Sequence, residues 1–151
     1  MSGANLEATM RSERMFRCRL AGLSIGLLLL LNSGAANAGP IRLQASDAAP
    51  GSAVLELYAD ELVTMTAIPF RLTIRDAAGR PLTGAKVSCD MTMPSMAMPE
   101  NRPKISEQNG SYGGELIFTC AMGAWRIGCV AEKNDGSRQM MTFDIDKVRM
   151  K

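Results

Sequence analysis

In the stretch IPFRLTIRD (68–76), Phe70, Leu72 and Ile74 alternate with Arg71, Thr73 and Arg75. A period of two puts the apolar set on one face of an extended strand and the polar set on the other, whereas a helix needs a period near 3.6. The alternation recurs along the chain. In AVLELYA (53–59) Leu55 and Leu57 point inward. In AKVSCDM (85–91) Ala85, Val87, Cys89 and Met91 share a face. In ELIFTC (115–120) the inward set is Leu116, Phe118 and Cys120; in WRIGCVAE (125–132) it is Trp125, Ile127, Cys129 and Ala131; in RQMMTFDIDKV (138–148) it is Met141, Phe143 and Ile145. PKISEQ (103–108) reads as a short edge strand, a position that tolerates Pro103.

Turn material separates these runs: DAAGRPLTG (76–84), NGSYGG (109–114), AMGA (121–124) and KNDGS (133–137). Gly, Pro and Asp-Gly supply the backbone angles that reversals need. No amphipathic helix is visible. About seven short strands with frequent turns predict an all-β chain, an antiparallel β-sandwich of immunoglobulin-like type. A small open barrel is the other architecture that fits.

The chain has 151 residues, enough for one domain. Residues 1–38 read as a signal peptide: Arg14, Arg17 and Arg19 precede the apolar run Leu20–Leu31, and Ala36-Asn37-Ala38 fits a small-x-small cleavage site. The apolar run is short for a membrane span. The alternative is a membrane anchor formed by residues 20–31. Export, to a periplasm or its equivalent, is the expected localisation. Residues 39–52 are small and polar and read as a flexible lead-in, which leaves 53–151 as the folded domain.

Cleavage removes four arginines and two glutamates and leaves 13 basic and 13 acidic side chains, with no net charge. That balance gives no electrostatic basis for nucleic-acid binding. The chain contains no histidine, which rules out a Ser-His-Asp triad, a Cys-His pair and a His-ligated zinc or haem. No nucleophile motif, phosphate loop or carboxylate pair stands out. A non-enzymatic protein with no small-molecule substrate is expected.

Three cysteines follow the cleavage site: Cys89, Cys120 and Cys129. In an oxidising compartment two of them are expected to pair, and sequence alone leaves all three pairings open. In an immunoglobulin-like order the ends of the Cys89 and Cys120 strands lie at one pole. That placement favours Cys89–Cys120, with Cys129 as a buried thiol.

The segment CDMTMPSMAMPENRP (89–103) sets Met91, Met93, Met96 and Met98 close together, interrupted by Pro94 and Pro99. The prolines exclude an ordinary helix. Around it run Gly84-Ala85, Met93-Pro94-Ser95-Met96-Ala97-Met98, Gly110-Ser111-Tyr112 and Met122-Gly123-Ala124-Trp125. In this order, over roughly residues 67–132, these pieces resemble the YtkA-like domain and the related FixH family. The resemblance implies an exported immunoglobulin-like domain associated with copper handling or copper-oxidase assembly. FixH-type proteins keep a membrane anchor, which the cleavage site here speaks against, and the three core-facing cysteines are not part of the pattern.

Thioethers are soft, neutral donors that suit Cu(I) and ignore hard ions such as Mg²⁺. Met91, Met93, Met96, Met98 and, from the next turn at the same pole, Met122 form the candidate ligand set for Cu(I). Cys89 or Cys120 would strengthen it only as a free thiol. The competing readings are packing, since methionine fills irregular core ends, and a Met-rich docking surface for a copper protein or membrane complex. An adaptor module for oxidase assembly or efflux, with no metal of its own, is the alternative function.

Overall fold

The computed structural model describes residues 39–151, and every regular element in it is a strand. The signal peptide and the possible 20–31 anchor lie outside the described residues. Within those residues no helix is long and apolar enough to cross a membrane.

Eight antiparallel strands form two sheets. The strands are β1 (Ile41–Gln44), β2 (Ser52–Leu57), β3 (Ala67–Arg75), β4 (Lys86–Thr92), β5 (Ile105–Gln108), β6 (Ser111–Ile117), β7 (Trp125–Glu132) and β8 (Arg138–Ile145). One sheet has the order β1-β2-β3-β6-β5 and the other β4-β7-β8. Without β1, this is the four-plus-three order of the immunoglobulin constant-type sandwich.

The alternation read in the sequence is the alternation that fills the core. Leu55, Leu57, Ile68, Phe70, Leu72 and Ile74 face inward from β2 and β3. Cys89 and Met91 from β4, Ile127 and Ala131 from β7, and Met141, Phe143 and Ile145 from β8 meet them. Trp125 opens β7 fully buried, edge-to-face with Phe118 at 5.3 Å between ring centroids. Such a pair adds about 1 kcal/mol beyond the area it buries.

Four details differ from the sequence expectation. First, the lead-in 39–52 contains β1. Ile41 and Leu43 pair with Leu57 and Leu55 and pack against the core, while Arg42 makes an ion pair with Glu56. Small residues around this four-residue strand hide it. From its end the chain reaches the other sheet, where Ser46 N–H donates to Thr142 O and Thr142 N–H to Asp47 O.

Second, NGSYGG is not all turn. Only Asn109 and Gly110 reverse the chain, both with positive φ (50° and 77°), and β6 begins at Ser111. Gly113 and Gly114 belong to the strand. A Cβ on Gly114 would collide with the Lys104 carbonyl, so this glycine marks a close backbone approach rather than a reversal.

Third, β6 ends at Ile117, so Cys120 lies in the β6–β7 turn and is half-buried rather than core-facing in a strand. β8 likewise stops at Ile145, although Val148 still packs in the core.

Fourth, the disulfide joins Cys89 to Cys129, and Cys120 is free. The expected Cys89–Cys120 bond, with Cys129 as the thiol, is incorrect. The β4–β7 register runs from Lys86↔Glu132 to Thr92↔Arg126 and places Cys89 directly opposite Cys129 on the core face. Neither cysteine is at a strand end, so each has the other as its lateral neighbour.

Candidate soft-metal site at the methionine pole

The strand order sends four segments to one end of the sandwich. They are the β2–β3 loop, the β4–β5 segment, the β6–β7 turn and the tail after β8. Almost all of the methionines that the sequence singled out, and two that it did not, lie on these segments.

The β4–β5 segment splits its methionines between inside and outside. Met91 is fully enclosed and Met93 is 2% exposed, so both line the end of the core. Pro94 and Ser95 then form a tight turn: Met93 and Met96 are bridged, and Met96 N–H donates to Met93 O at 3.1 Å. Proline suits the second position of such a turn. The reversal puts Met96 outside, 45% exposed, while Met98 is half-buried against the core. The segment then returns alongside β4, where Met91 N–H donates to Asn101 O.

The β6–β7 turn lies against this reversal. A Cβ placed on Gly123 would stand 3.3 Å from Ser95 Oγ and 3.4 Å from Met93 Cε. Met122, one residue earlier, is 71% exposed. The Met122 N–H donates to Cys120 Sγ at 3.4 Å, and Trp125 Nε1–H donates to Cys120 O at 2.9 Å. The buried tryptophan thus holds the backbone of a turn in which half-buried Cys120 packs against the core and Met122 points outward.

Two further thioethers join from distant parts of the sequence. Met65 is exposed and has a positive φ of 53°; its N–H donates to Phe118 O at the start of the β6–β7 turn. Met150 is exposed on the tail, which is fixed by the Val63–Arg149 bridge, buried Val148 and a two-oxygen contact of Arg149 with Glu61. The Glu61 carboxylate also raises the Arg149 pKa above its ordinary value. Buried Thr64 points its hydroxyl at Met150 Sδ, 3.8 Å away. Sequence reasoning missed Met65 and Met150 because only the topology brings them to this end.

Of the expected set, the structure brings Met93, Met96 and Met122 to adjoining turns, leaves Met98 half-buried against the core, and buries Met91 and Met93. A donor that meets an ion from solvent needs an open face, and neither Met91 nor Met93 has one. Among the described residues there is no group of three or more His, Cys, Asp or Glu side chains arranged for a metal ion.

No protein-family model matches the chain, and no curated protein or solved structure matches it.

Proposed function

We propose that this is an exported, non-enzymatic protein that handles copper by weak, exchangeable Cu(I) binding at the methionine pole. Exposed Met96 and Met122 are the outer donors and half-buried Met98 the third, while buried Met93 packs under the turn at Gly123. The observation that carries this reading is the division within one short segment: Met91 and Met93 complete the core, while a Pro94 turn, lying against the turn that bears exposed Met122, carries Met96 out into solvent. Packing alone accounts for the inner pair and leaves the outer thioethers without a role. The resemblance to YtkA-like and FixH domains points to the same extracytoplasmic copper chemistry. Thioethers bind without losing a proton and exchange readily, which suits delivery to a partner copper protein or membrane complex more than storage.

An anaerobic Cu(I) titration against a competing chromophoric chelator tests the reading. The full chain is compared with the variant Met96→Leu/Met98→Leu/Met122→Leu, in which leucine keeps the apolar bulk and removes sulfur. Stoichiometric binding in the unaltered chain, lost or sharply weakened in the folded variant, is expected. Equal binding in both, or none in either, overturns it; the exposed methionines then read as the docking face of an adaptor.

A further inference from the structure

The geometry points to a second binding site, on the outer face of the five-stranded sheet, that takes a small carboxylate bearing hydroxyl groups, of the size of a sugar acid. It is independent of the copper reading and uses none of the methionines.

The site follows from the strand register. Leu57, Phe70 and Leu72 face the core, so alternation turns Tyr58, just past β2, and Arg71 of β3 outward. The residue opposite Arg71 on β6 is Gly113, which has no side chain. Over it lies a hollow of about 320 Å³. Tyr58 and Arg71 line it from β2 and β3, and Gln108, Asn109 and Ser111 line it from the β5–β6 hairpin. The volume is at the small end of the range for ligand pockets, roughly 300–1,000 Å³.

The lining selects the ligand. Arg71 is the only charged side chain in it. The guanidinium stands over the Tyr58 ring, with Cζ 5.7 Å from the centroid, and Tyr58 is tied to β3 by its N–H to Pro69 O. Stacking on an aromatic face orients the guanidinium without consuming its N–H donors. Among the described residues no carboxylate takes those donors. Glu56, opposite Arg71 on β2, pairs with Arg42, and Glu115, on the outer face of β6, makes no ion pair. A planar fork held in this way matches one carboxylate through two parallel N–H···O bonds. A single positive charge suits a monoanion better than a phosphate, which carries nearly two charges.

The hairpin side offers neutral groups. Gln108 Nε2 donates to Ser106 Oγ, and Ser111 Oγ donates to Gln108 O. That leaves the Gln108 side-chain carbonyl and the Ser111 oxygen to accept, and exposed Asn109 adds an amide that can do both. Hydroxyl groups donate and accept, so they match this wall; a bare alkyl carboxylate leaves it unmet.

The test is a proton–nitrogen correlation NMR titration of the full chain with D-glucuronate. D-glucose, which lacks the carboxylate, and acetate, which lacks the hydroxyls, are the controls. Saturable shifts at the Tyr58, Arg71, Ser111 and Gly113 amides are expected with glucuronate, at an affinity about tenfold or more above either control. Arg71→Lys keeps the charge and removes the fork, and should weaken binding about tenfold. Arg71→Gln should abolish it. The position is exposed, and the same spectra show whether each variant is folded. If a variant does not fold, the two control ligands on the unaltered chain decide. Equal binding of glucose or acetate, equal binding by folded Arg71→Gln, or no saturable shift at these amides overturns the inference.

Discussion

The two ends of the sandwich are built from different materials. At the end opposite the methionines, hydrogen bonds hold the loops. The Tyr112 hydroxyl donates to Leu82 O and accepts from Ala85 N–H, both at 3.1 Å. Glu107 accepts from Gly84 N–H. Asp76 gathers Ala78 N–H, Arg80 N–H and the Arg80 guanidinium, and Asp135 gathers the Ser137 N–H and hydroxyl. Those contacts lower both carboxyl pKa values from the ordinary 3.8: for Asp76 chiefly the Arg80 backbone N–H, for Asp135 chiefly the Ser137 hydroxyl. At the methionine end, packing of Trp125, Phe118, Met91 and Met93 supports the loops from below, a few hydrogen bonds and the Arg149–Glu61 pair fix their backbones, and Met65, Met96, Met122 and Met150 are exposed above them. A polar end of this kind is finished as built. The other end is finished with exposed thioethers in place of polar caps.

The largest expected effect lies between the two ends. Removing the disulfide with Cys89→Ala/Cys129→Ala frees a loop with a sequence separation of 40, which costs about 4 kcal/mol by the chain-entropy relation. Urea denaturation against the unaltered chain measures it. Cu(I) binding in the folded variant should persist, because neither sulfur belongs to the site.

Met91→Ala and Met96→Ala sharpen the division within the methionine segment. Met91→Ala opens a cavity at an enclosed position and should cost about 3 kcal/mol. Met96→Ala, at an exposed turn, should cost less than about 0.5 kcal/mol. Equal losses would mean that the inner and outer methionines are not distinct classes.

Tyr112→Phe probes the polar end and should cost about 1–2 kcal/mol, because it strands Ala85 N–H and Leu82 O near the core. Burial raises the Tyr112 pKa above its ordinary 10.0. A raised folded-state pKa contributes stability below the unfolded-state value, and that contribution is lost as pH rises through the folded-state value. The phenolate also cannot donate to Leu82 O. The unaltered chain should therefore lose stability above about pH 10, and Tyr112→Phe should lack that component.

The strands were legible because a sandwich imposes one apolar face on each of them, and Phe70-x-Leu72-x-Ile74 records that directly. β1 was not, because an edge strand of four residues half-buries only Ile41 and Leu43 and leaves a weak pattern. Gly113 and Gly114 misled because glycine marks close backbone approach as readily as reversal. The disulfide was misassigned because register, not pole, decides lateral neighbours, and register is a property of two strands together. The methionine pole was partly legible: Met96, Met98 and Met122 fall in segments that the strand order returns to one end, but Met65 and Met150 are brought there by topology alone. Exposure is likewise not written in the spacing of Met91, Met93 and Met96; the Pro94 turn creates it.

The short backbone contacts along the three-stranded sheet also bear on how these molecules meet one another. Ser46 and Asp47 occupy hydrogen-bonding positions on the outer edge of β8, and Asn101 occupies one on the outer edge of β4. An open edge is a template on which a second chain can extend the sheet and begin a polymer. Here both edges of that sheet are blunted at those points by the chain itself, and β5, at the end of the other sheet, is short and carries Glu107 among exposed polar residues. A second chain that was to extend the three-stranded sheet at those points would first have to displace backbone hydrogen bonds the molecule already makes with itself.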